Sequence, residues 1–96
     1  MSADALTGLR PLGYVQVTVL SASTGLTIPA GCCLIRVIPQ TQAVRWRDDG
    51  TAPTATVGQP LAVGAELLYD ATGMVALRFI EQVASAAINV TFYGSV

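Results

Sequence analysis

Residues 86–94 read AAINVTFYG. Ile88, Val90 and Phe92 fall on one side of this stretch, and Asn89, Thr91 and Tyr93 on the other. Strict alternation in β-branched and aromatic residues marks a half-buried strand. The same period recurs upstream. Residues 14–21, YVQVTVLS, put Val15, Val17 and Val19 on one face and Gln16 and Thr18 on the other. Residues 32–39, CCLIRVIP, are apolar on both faces except at Arg36, as expected of a strand that is central or covered by a partner. In AVRWR, residues 43–47, Val44 and Trp46 alternate with Arg45 and Arg47. In MVALRFI, residues 74–80, Val75, Leu77 and Phe79 share a face.

Punctuation falls between these runs: Gly25, Pro29 and Gly31, then DDG at 48–50, then Gly58, Pro60 and Gly64, then DATG at 70–73. Turn signals spaced about ten residues apart suit a sandwich or barrel. IEQVASAA, residues 80–87, is Ala-rich enough for one helical turn, and a loop fits it equally. No long helical period appears, which disfavours a βαβ architecture. The expected fold is all-β: a single domain over 1–96, a small jelly-roll-like sandwich of about eight short antiparallel strands. Residues 1–11 carry little pattern before Leu12 and are expected to form an extended N-terminal arm.

Composition narrows the function. A chain of 96 residues buries roughly 60–65 % of the surface it exposes when unfolded, so its core is thin. Hydrophobic residues make up 52 % and charged residues 11 %, against about 25 % charged in ordinary soluble domains. A monomer of this composition exposes apolar surface, which points to an assembly subunit. A net charge of −1 gives no electrostatic footprint for nucleic acid. No run reaches the roughly 18–20 apolar residues of a membrane span. No basic segment followed by an apolar run opens the chain, so no signal peptide is expected and a reducing compartment is. All five cations are Arg. Arg suits buried and interfacial ion pairs better than Lys, and a GC-rich genome has the same effect.

Catalytic equipment is sparse. There is no His, which removes the commonest general base and metal ligand. Cys32 and Cys33 are adjacent, cannot close an ordinary disulfide with each other in a strand, and read as core thiols. Asp48-Asp49-Gly50 is the only carboxylate cluster. A calcium loop needs oxygen ligands spread along about twelve residues, and residues 51–59 hold no acid. Glycosidase chemistry needs two carboxylates facing each other across a cleft. Asp-Gly is instead a favoured hairpin dipeptide of the type I′ turn. No enzyme, cofactor or metal is expected. Ser and Thr lack a base partner, and the glycines match no phosphate-binding pattern. Asn89-Val90-Thr91 matches a glycosylation sequon but reads as strand sequence. The candidate docking residues are Arg45, Trp46, Arg47, Asp48 and Asp49, with Arg36. Trp and Arg are enriched at binding hot spots, and by alternation Trp46 is expected to point inward and the arginines outward.

Residues 44–63, VRWRDDGTAPTATVGQPLAV, resemble a pattern of small virion proteins of tailed bacteriophages. That pattern is an aromatic between arginines, then R-D-D-G, P-T, a small residue and G-x-x-L. LRFI at 77–80 and NVTFY at 89–93 resemble the same group. The resemblance implies a structural component of the particle, similar to head decoration or cement proteins. Such a protein would bind the major capsid protein and itself, as a homotrimer on the capsid surface, after assembly in the host bacterial cytoplasm. No nucleic acid and no membrane would be involved. Two other readings share the composition: a tail, neck or fibre-associated subunit, and a small β-barrel module binding carbohydrate or another ligand. The low aromatic content, 6 %, counts against the last.

Overall fold

The structure is a computed structural model and describes residues 8–70 and 76–96. Eight strands follow in order: β1 (Leu9–Val17), β2 (Thr24–Gly25), β3 (Cys32–Gln40), β4 (Val44–Arg47), β5 (Gln59–Leu61), β6 (Leu67–Tyr69), β7 (Arg78–Glu81) and β8 (Ala87–Ser95). They form two four-stranded sheets, ordered β1-β8-β3-β6 and β2-β7-β4-β5, with every pairing antiparallel. Only the β4–β5 connection stays within one sheet, and every other connection crosses to the opposite one. That path is the jelly roll, the sandwich expected from the strand pattern.

The alternation in residues 86–94 is realised as expected. Ile88, Val90 and Phe92 face the core, and β8 is paired on both sides. Val37 of β3 pairs with Val90, and both are fully buried. Ile35 and Pro39 continue this inner face, so β3 is a central strand. Val44, Leu61 and Phe79 answer from the second sheet, and Leu20, Leu77 and Ala86 close the core from connecting segments. Burial of these side chains is the main stabilising term, at roughly 1.5–3 kcal/mol for each large one.

The strand read from residues 14–21 is shifted. β1 begins at Leu9 and ends at Val17. Val19 lies beyond it, exposed, while Leu20 turns into the core. Alternation alone cannot locate the point where a chain leaves one sheet for the other. Of the arm expected over 1–11, residues 9–11 belong to β1, and residues 1–7 lie outside the described residues. The DATG turn lies there in part, at 71–73, and Val75 lies there too. IEQVASAA forms the end of β7, a turn with Ser85 at φ 77, and the start of β8.

Candidate functional site

β4 is VRWR, and its alternation sets the site. Val44 and Trp46 point into the sandwich. The Trp46 ring meets Tyr69 of the opposite sheet edge-on, with centroids 6.3 Å apart and planes at 84°. Tyr69 Oη donates to Asp48 Oδ2 at 2.6 Å, tying the end of β4 to β6. That hydrogen bond holds the phenol proton and raises the Tyr69 pKa above its ordinary value.

The guanidinium of Arg47 grips Asp49 through two parallel bonds, Nε to Oδ1 at 3.0 Å and Nη2 to Oδ2 at 2.5 Å. This bidentate fork is the strong form of an ion pair. It lowers the Asp49 pKa and raises that of Arg47. Asp49 Oδ1 also accepts from Thr51 N at 3.3 Å, an Asx turn. Gly50 follows at φ 85. The expected type I′ hairpin does not form, because only Gly50 of the Asp-Gly pair has positive φ. β5 starts at Gln59, so DDG is instead the first corner of a loop over residues 48–58.

That loop is compact. Thr54 and Val57 exchange backbone hydrogen bonds of 2.8 and 3.3 Å. Pro53 is buried beneath it. At Gly58, φ is 144, and an added Cβ would stand 3.2 Å from each of Arg45 Cβ, Pro53 Cβ and the Trp46 carbonyl. The loop is therefore seated on β4. Arg45 clasps it from below, donating from Nε to Ala55 O at 3.2 Å and from Nη1 to Gly58 O at 2.8 Å. With its amide oxygen turned toward Arg45, Gln82 accepts at 2.9 and 3.1 Å.

Arg45 and Arg47 do face outward, as expected, but they bind their own chain. Arg78 behaves alike. It stands directly opposite Arg47 in the β4–β7 register and holds Ser23 through Oγ at 2.7 Å and the carbonyl at 2.8 Å. Like charges facing across strands are unfavourable. Asp49 offsets one and the Ser23 oxygens engage the other. A planar fork that reaches two acceptors at once is a task for Arg and not for Lys.

Arg45, Trp46, Arg47, Asp48 and Asp49 are thus gathered at one end of the sandwich. Arg36 is not among them. It lies on β3 in the other sheet, paired with Glu66 at 2.6 Å, which raises its pKa. Tyr69, Pro53, Gly58 and Gln82 also belong to the site; in the sequence Gly58 stands out only as punctuation and Pro53 only within the motif, and Tyr69 and Gln82 not at all. Packing across the sandwich and against β4 brings them together.

Arg47, Asp48, Asp49, Val57, Gly58 and Gln59 line an open cleft of about 350 Å³. Its ionised groups are hydrogen-bonded within the chain, Arg47 to Asp49 and Asp48 to Tyr69. Among the described residues, no three His, Cys, Asp or Glu side chains are grouped to hold a metal ion. Comparison of the chain with family models, curated proteins and solved structures gives no match.

Proposed function

We propose that the chain is a non-enzymatic structural protein of a bacteriophage virion that decorates the capsid and bridges major capsid proteins. The observation that carries this reading is the clasped loop. Residues Thr51, Ala52, Thr54, Ala55, Thr56 and Val57 are exposed on it and uncharged, while Arg45, Arg47, Asp48 and Asp49 fix its shape from beneath. A surface held rigid before contact loses little conformational entropy on docking. In this reading the charges set the loop and the Thr/Ala tip meets the partner. The resemblance of residues 44–63 to phage virion proteins covers the same loop.

Each copy would add a modest contact, and many copies on one particle would add avidity. The head would then resist internal pressure without any chemical step. The test is add-back to particles grown without the protein. Wild-type chain should raise the temperature at which heated particles release DNA. Ala55→Lys with Thr56→Lys, at exposed positions that keep the Arg45 bonds to backbone carbonyls and the Thr54 Oγ1 bond from Val57 N, should bind poorly and protect poorly. Equal protection by this variant would remove the loop from the docking surface. No binding by the wild type would sink the reading.

A further inference from the structure

The two sheets have four edge strands: β1, β6, β2 and β5. Three of them are two or three residues long, and β1 has nine. A long free edge is a template for another strand. Pro11 and the irregular register between Pro11 and Gly13 blunt its first third. Residues 13–17, GYVQV, remain open. Among the described residues, no backbone hydrogen bond beyond the β1–β8 ladder reaches them. Residues 11–24 contain no Asp, Glu, Lys or Arg, so the edge lacks the charges that usually protect one. It also carries exposed apolar side chains: Tyr14 is 61 % exposed and Val15 38 %, and Val19, just past the strand, is 73 % exposed.

We propose that β1 pairs antiparallel with β1 of a second copy about a two-fold axis at Val15. No other edge among the described residues is long enough to match it. The register is self-complementary. Val15 meets Val15 of the second copy on the inner side, and Gly13 there lies opposite Val17, small against large. On the outer side Tyr14 meets Gln16, extending a row in which Gln16, Asn89 and Gln40 already hydrogen-bond one another. No like charges are brought together. The covered strip is about 17 Å of strand across a shortest dimension of 19 Å. That is of the order of 300 Å² per copy before the rim is added, the scale of a weak, concentration-dependent association.

This inference is independent of the virion reading. A two-fold pair closes at two copies, so the trimer implied by the resemblance would have to use other surfaces. The test is sedimentation velocity on the full chain from about 5 to 500 μM. Amide exchange at residues 13–17 is followed over the same range. The wild type should pass from monomer to dimer, with exchange at 13–17 slowing as dimer forms. Val15→Lys should weaken association at least about tenfold by placing two ammonium groups together. Val63→Lys, at an exposed valine between β5 and the far-edge strand β6, should leave association unchanged. A monomer throughout, a trimer, exchange at 13–17 indifferent to concentration, or equal effects of the two lysines would each overturn the proposal. The exchange measurement uses unaltered protein, so it decides even where a variant folds poorly.

Discussion

Gly58→Ala tests how firmly the loop over residues 48–58 is seated on β4. Two costs arise at once. The φ of 144 is one that side-chain-bearing residues rarely adopt, at about 1–3 kcal/mol. The new methyl would also meet Arg45 Cβ, Pro53 Cβ and the Trp46 carbonyl at 3.2 Å each. None of these is the free end of a flexible side chain, so the crowding adds about 1 kcal/mol or more. Releasing the loop is no cheaper. It would forfeit the Arg45 bonds to Ala55 and Gly58, at about 1.5–3 kcal/mol for each hydrogen bond to a charged group. The expected loss is therefore about 2–4 kcal/mol, or roughly 10–20 °C in Tm for a domain of this size. Gly50→Ala is the control. Its φ is 85, but its Cβ would meet nothing within 4 Å, so it should lose only about 1 kcal/mol. Urea melts of the two variants give the comparison. A Gly58→Ala loss no larger than that of Gly50→Ala would refute the seating of the loop.

Other consequences are open to measurement. Gly94→Ala places a methyl 2.9 Å from the Gly31 carbonyl and 3.0 Å from Leu12; urea unfolding should show a loss of about 1–3 kcal/mol. Phe79→Ala empties the centre of the core, where Phe79 is fully buried, and should cost about 3–5 kcal/mol in the same assay. The depressed pKa of Asp49 stabilises the fold above the ordinary carboxylate value of 3.8, and this contribution is lost as pH falls through the lower folded-state value. Asp49→Asn should accordingly melt below wild type at pH 7, with the gap closing on acidification; a gap independent of pH would contradict the Arg47–Asp49 pairing. Ultraviolet titration should find one phenol ionising above 10, the ordinary value, and Asp48→Ala should lower that transition. The raised Tyr69 pKa stabilises the fold below 10 and is lost as pH rises through the folded-state value.

Much of the fold was legible because the period of two is written plainly in β8 and β3. Ile88, Val90, Phe92, Ile35 and Val37 needed only that rule to be placed inside. Strand order was not legible, since the jelly-roll path depends on which strands pair across long separations. The end of β1 at Val17 was missed for the same reason: Val19 fits the alternation but lies past the crossing. In the site, the charge cluster and the inward Trp46 were readable from VRWRDD. The partners of those charges were not. Asp-Gly suggested a tight hairpin, yet the corner is an Asx turn fixed by Arg47, and the backbone returns only at Gln59. Arg36 shared a residue type with the cluster but not a sheet.

The proposed role of this jelly roll is capsid decoration, with docking through the loop over residues 48–58. A reconstruction of the virion that carries it tests this most directly. Density for the fold is expected at hundreds of positions over the head, with Thr54, Thr56 and Val57 against the major capsid protein. A handful of copies at a vertex or along the tail, or no copies on the particle, would contradict it.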